Sequence, residues 1–111
     1  MSPQSKTSRL HLDLALTAGE VRELRARAAA ELRHPGPFVT RIVAEHLRQR
    51  GRLKAAPVAP GQRRRFDVQL ALRARERREL EARAKADGRS LGNYVTALVV
   101  RAVREPHSGR G

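Results

Sequence analysis

Residues 9–48 recur, without insertion or deletion, as residues 65–104. A shift of 56 positions lays Leu14-Ala15-Leu16 on Leu70-Ala71-Leu72, Glu23-Leu24 on Glu79-Leu80, Arg27-Ala28 on Arg83-Ala84 and Val39-Thr40 on Val95-Thr96; 19 of the 40 aligned positions are identical. A unit this short buries too little apolar surface to fold alone. Its repetition within one chain implies that each copy completes the core of the other. The expectation is a dimer in one chain, with a single shared core.

Each copy opens on a strict alternation, the mark of a half-buried strand. In Arg9 to Leu16 the four leucines Leu10, Leu12, Leu14 and Leu16 share one face; in Arg65 to Leu72 it is Phe66, Val68, Leu70 and Leu72. Thr17-Ala18-Gly19-Glu20 has the spacing of a capping box and predicts a helix from Ala18 to Arg33. Its apolar stripe is Val21, Leu24, Ala28 and Leu32, and Glu23 and Arg27 form an i, i+4 pair. His34-Pro35-Gly36-Pro37 reads as a break, followed by a helix to Arg50 with Phe38, Val39, Ile42, Val43 and Leu47 inward. In the second copy a helix from Ala74 to Asp87 stops at Gly88. The last helix, capped by Ser90, buries Tyr94, Val95, Leu98, Val99 and Val103 and ends at Glu105-Pro106.

The predicted organisation is a disordered tail 1–8, a first unit 9–50, a linker 51–63, a second unit 64–105 and a disordered tail 106–111. Where the first copy has Val21 the second has Arg77, which either snorkels at the core edge or is free to contact phosphate or a neighbouring molecule. His34, His46 and His107 have no partners at ligand spacing and are expected on the surface.

The chain has 24 Lys+Arg against 11 Asp+Glu, a formal charge of +13. The excess is shared almost evenly by the two halves, so it belongs to the folded unit. A field of this sign attracts polyanions, above all nucleic acid. There is no cysteine, hence no disulfide framework or thiolate metal site. No apolar run approaches the roughly 18 residues of a membrane span, and the first residues lack the apolar segment of a secretion signal. The expectation is a bacterial cytoplasmic protein. No nucleophile stands beside a base and no Gly-rich phosphate loop follows a strand. Neither enzymatic activity nor a metal or cofactor is expected.

The alternating strand, the first helix, the turn Asp87-Gly88-Arg89-Ser90-Leu91 and the apolar helix with Tyr94, Val95, Leu98 and Val99 resemble the ribbon-helix-helix family of DNA-binding proteins, the class of the Arc, MetJ and CopG repressors. The first copy departs from the family's Gly-x-Ser turn, with His34-Pro35-Gly36-Pro37 in its place. The resemblance implies a mostly α fold with a short two-stranded antiparallel ribbon. It would be an intramolecular pseudo-dimer of two ribbon-helix-helix units in the order β-α-α-linker-β-α-α, similar to TraY-like relaxosome accessory proteins.

In that family the ribbon enters the DNA major groove, about 12 Å wide. Strand parity turns Arg9, His11, Asp13 and Ala15, and Arg65, Asp67, Gln69 and Ala71, outward. The family pattern makes His11, Asp13 and Ala15, with Asp67, Gln69 and Ala71, the base-facing positions. Gln69 suits adenine, Arg65 or His11 suits guanine, and Asp13 and Asp67 either accept from cytosine or orient neighbouring arginines. The resemblance also implies phosphate contacts at the start of each second helix. These fall to Ser90, Leu91, Gly92 and Asn93 in one copy and to Gly36 and Phe38 in the other, with Arg63, Arg64 and Arg89. Because His11/Asp67 and Asp13/Gln69 differ between copies, a non-palindromic double-stranded DNA site is expected. The biological role would be that of a transcriptional repressor or autoregulator, or of an accessory factor in conjugation. Neighbouring copies on DNA and a relaxase or other mobilisation protein are further partners the resemblance admits, in a nucleoid- or plasmid-associated location. The competing expectation is a basic helical adaptor that docks on an acidic partner without reading bases.

Overall fold

The computed structural model describes residues 7–48 and 62–104. The order is β1 (Thr7–Leu16), α1 (Ala18–Ala30), α2 (Pro35–Arg48), β2 (Arg64–Arg73), α3 (Ala74–Ala86) and α4 (Leu91–Arg104). Of the expected tail 1–8, Thr7 and Ser8 open β1, which therefore starts earlier than the alternation predicts. Most of the expected linker and the tail 106–111, with His107, lie outside the described residues.

The protein is mostly helical, with β1 and β2 paired antiparallel as its one described sheet. Leu12 lies opposite Val68, its own counterpart in the repeat. The apolar sides of both strands face inward: Leu14, Leu16, Leu70 and Leu72 are almost wholly buried. Burying each such leucine stabilises the fold by about 1.5–3 kcal/mol. Val39 and Val43 of α2, Val95 and Val99 of α4, Leu24 of α1 and Leu80 of α3 close the core over them. Phe38 and Tyr94 are buried, as expected; Val21, Ile42 and Leu47 are half-buried at the margin. Among the described residues, no helix is long and apolar enough to cross a membrane.

The second helix of each repeat lies mainly on the strand of the other: α2 on β2, and α4 on β1. The ends of these helices are held across the repeats as well. The Arg27 guanidinium donates to the carbonyls of Ala102 and Val103 at the C-terminus of α4, both at 3.1 Å. Arg83 does the same for His46 and Leu47 at the C-terminus of α2, at 3.0 and 3.3 Å. Both arginines also keep their i, i+4 partners, Glu23 at 2.8 Å and Glu79 at 3.1 Å. Last-turn carbonyls have no partner within their own helix, and a cation there also complements the helix dipole.

Three elements depart from the sequence expectation. First, α1 ends at Ala30 and not at Arg33. Leu32 takes φ 57° and is 95% exposed, outside the stripe assigned to it. It occupies the place of Gly88, φ 71°. In both turns the next residue closes the helix end, Arg33 N–H on Ala28 and Arg89 N–H on Ala84, at 2.8 and 3.0 Å. This is a Schellman closure, which requires a left-handed residue whatever its side chain. Second, Pro35-Gly36-Pro37 is the first turn of α2, not a break before it. The amides proline lacks there have no i−4 acceptor in any case. Third, His46 is buried, not on the surface. Its Nε2 lies 2.7 Å from the Tyr94 hydroxyl, and its Nδ1 has no hydrogen-bond partner. Arg77, left open by the sequence, is exposed and pairs with Glu81 at 3.2 Å.

Two outcomes follow from these positions. A β-carbon in the left-handed region costs about 1–2 kcal/mol, so Leu32→Gly is expected to raise the melting temperature by a few degrees, read by circular dichroism. Burial, reinforced by the charges of Arg83 and Arg101, holds His46 below its ordinary value of 6.5. The unfolded chain therefore binds the proton first, and stability falls as pH drops below 6.5. The melting temperature of the wild type is expected to fall more between pH 7.5 and pH 5.5 than that of His46→Leu.

Candidate nucleic-acid interface

On the outward side of the ribbon, four polar or small pairs form a ladder to either side of Leu12 and Val68. Arg9 faces Ala71, His11 faces Gln69, Asp13 faces Asp67, and Ala15 faces Arg65. All of these are exposed except Ala15, which is half-buried. The outer pairs are alike, each an arginine across from an alanine. The inner pairs differ: one is His11 with Gln69, the other two carboxylates.

Those carboxylates do not stand alone. Arg65 Nη1 is 3.8 Å from Asp13 and its Nε is 3.7 Å from Asp67. His11 Nε2 lies 3.6 Å from Asp13 and 3.9 Å from Asp67. Asp13 and Asp67 face each other directly across the ribbon, so each acts on the titration of the other. A shared hydrogen bond raises Asp13, helped by what burial there is and by the charge of Asp67, against the pull of Arg65 and His11. The same hydrogen bond lowers Asp67, with Arg65 and His11. Donor atoms of His11, Asp13 and Asp67 lie within 4.8 Å of one another, a spacing a cation could use. Such an ion would have to compete with Arg65 for both carboxylates.

Helix starts flank the ladder. A β-carbon on Gly92 would sit 2.8 Å from the Asp13 carbonyl oxygen, and one on Gly36 would sit 3.0 Å from that of Gln69. Glycine therefore sets how closely the first turn of α4 approaches β1, and that of α2 approaches β2. One turn further on, threonines fasten the same contacts. The Thr96 hydroxyl donates to the Gly92 carbonyl at 2.8 Å and accepts from the Ala15 amide at 3.1 Å. Thr40 donates to Gly36 at 3.0 Å and accepts from Ala71 at 3.3 Å. Each outer strand edge thus gives an amide to a helix, which blunts an edge otherwise open to pairing. Thr40 and Thr96 have no role among the sequence expectations; the signal that marks them is a hydroxyl one turn after a glycine in both copies of the repeat.

The expected phosphate donors divide. Leu91 and Gly92 present first-turn amides at α4, where a helix supplies no i−4 partner. The Asn93 amide is already taken by the Ser90 hydroxyl at 3.2 Å. In α2 the Phe38 amide donates to His34 at 3.1 Å, and Phe38 itself is in the core, which leaves Gly36. Arg64 is exposed. Arg89 leans on Asp87 at 3.0 Å. Arg63 departs most from expectation. Only 13% exposed, it contacts Glu20 at 2.7 Å and the Ala15 carbonyl at 3.0 Å. Burial would raise the Glu20 carboxyl, but the Arg63 hydrogen bond, the Thr17 amide and the charges of Arg63 and Arg104 outweigh it and hold it below 4.5. Arg63 thus ties the start of β2 to the capping box of α1, in which Thr17 and Glu20 exchange bonds of 3.0 and 3.1 Å.

Comparison with known proteins returns no matching family model, no matching curated protein and no matching solved structure.

The glycine contact predicts opposite signs for one substitution. Gly92→Ala forces a β-carbon against backbone and is expected to cost about 1–3 kcal/mol. Gly19→Ala, in open space at the first turn of α1, is expected to gain up to about 1 kcal/mol. Urea titration of the two variants against the parent measures both.

Proposed function

We propose that the chain is a single-chain pseudo-dimer of two ribbon-helix-helix units, and that it inserts its β-ribbon into the major groove of double-stranded DNA. The observation that carries this reading is the ladder: a two-stranded ribbon whose apolar side packs on the core, with Phe66 at its margin, and whose other side presents Arg9, His11, Gln69, Asp13, Asp67 and Arg65. A ribbon of this width fits the major groove, where side chains of these types meet base edges. The pairing of Leu12 with Val68, its own counterpart, near the middle of the ribbon supports a two-fold relation between the repeats. The exchanged packing of α2 and α4 and the matched contacts of Arg27 and Arg83 support it as well.

Backbone phosphates would be met on both flanks, by the amides of Leu91 and Gly92 on one side and of Gly36 on the other. Arg64 and Arg89 add charge. Arg63, Phe38 and Asn93 have no part in this set, because their donors are used within the fold. The formal charge of +13 supplies the long-range attraction.

The inner rungs differ, so the preferred site would be symmetric only towards its ends. Such a protein serves as a transcriptional repressor or autoregulator, or as an accessory factor that marks a transfer origin beside a relaxase. Selection of bound fragments from genomic DNA distinguishes the two by where the fragments cluster.

Hydroxyl-radical footprinting of one chain on a selected site is expected to give a footprint without a perfect inverted repeat. Binding there is expected to survive about a 10³-fold excess of random duplex. Equal competition by random duplex and by an acidic polypeptide would favour the adaptor reading instead.

A further inference from the structure

We infer that Arg65 is the specificity-determining side chain of the ribbon and that Asp13 and Asp67, one from each strand, are its positioning residues; this rests on the duplex-binding reading above. Two carboxylates at the centre of a surface meant for a polyanion weaken every phosphate contact nearby. Affinity alone gives no reason to keep them. Their placement supplies one. They form a single rung, directly across the ribbon from each other, and Arg65 stands on the next rung with one carboxylate at Nη1 and the other at Nε, 3.8 and 3.7 Å away.

The repeat provides an internal contrast. Arg9 is the counterpart of Arg65 and also faces an alanine. The rung beside Arg9 carries His11 and Gln69, with no carboxylate. Among the described residues, one arginine is therefore braced by anions from two strands and the other is not. A braced guanidinium is restricted in orientation before it meets DNA, so less freedom is lost when its fork engages guanine O6 and N7. It is also discouraged from settling on phosphate, because part of its charge is already answered. Arg65 remains 73% exposed, so the fork is available to a base. Arg9, unbraced, serves the backbone.

This assignment makes affinity and selectivity move in opposite directions. The probe is a duplex library with a randomised centre, taken through selection with the wild type, Arg65→Lys, Arg9→Lys and the double variant Asp13→Asn with Asp67→Asn. For the double variant, binding to unselected random duplex is expected to tighten several-fold, as two negative charges are lost. Its preference for the wild-type selected site over random duplex is expected to drop about tenfold or more. Arg65→Lys is expected to erase one guanine from the selected consensus, and Arg9→Lys to retain it. Circular dichroism melts of the four proteins check that the fold is common to all. Parallel changes in the two affinities of the double variant, up or down, overturn the inference, as does a consensus unchanged by Arg65→Lys. Binding of random duplex by the wild type with no sequence enriched also overturns it, and leaves the docking proposal standing. Absence of any duplex binding removes both.

Discussion

The structure depends on an exchange of partners: each repeat's second helix lies on the strand that the other repeat supplies. Neither strand has a stable place without that exchange. A two-stranded ribbon is marginal in water by itself, and its leucine side must be covered as soon as it forms. α4 covers β1 and α2 covers β2, so pairing of the strands and packing of the helices support each other. The polar fastenings respect the same crossing. Arg27 and Arg83 reach across to close the far ends of α4 and α2, while Thr96 and Thr40 tie their near ends to the strand edges.

That crossing also determines what the exposed side of the ribbon can be. With one face committed to apolar side chains, period-two geometry turns Arg9, His11, Asp13, Arg65, Asp67, Gln69 and Ala71 to solvent, and Ala15 is half-buried. The helix starts come close at the flanks only because Gly92 and Gly36 carry no β-carbon. Packing of α4 and the position of the exposed ladder therefore depend on the same residue, and loss of a glycine at 92 would disturb both.

Much of this was legible in the chain. Alternation gave the strands, their inward faces and their parity; the Thr17-Glu20 spacing gave a helix start that forms as written. What escaped has a common physical origin. Leu32 reads as part of an apolar stripe because periodicity counts side chains, whereas the helix end is decided by backbone closure at a left-handed residue. Pro35 and Pro37 read as a break because their missing amides matter in a helix interior and not in a first turn. His46 and Arg63 are polar by type, yet Tyr94 and Glu20 give them partners that make burial tolerable. Each of those partners lies in the other repeat or across the linker, where local spacing carries no information. The ladder was visible residue by residue, but the register that makes Asp13 and Asp67 neighbours was not.

One pairing has a consequence for how such a chain can change over time. Leu12 meets Val68 at the midpoint of the ribbon. Were the two copies separate identical chains, that residue would have to fit against itself, and any alteration would arrive twice in the same spot. Fusion lifts this requirement. The volume at the midpoint can be shared unequally, and every rung beside it can be revised one half at a time.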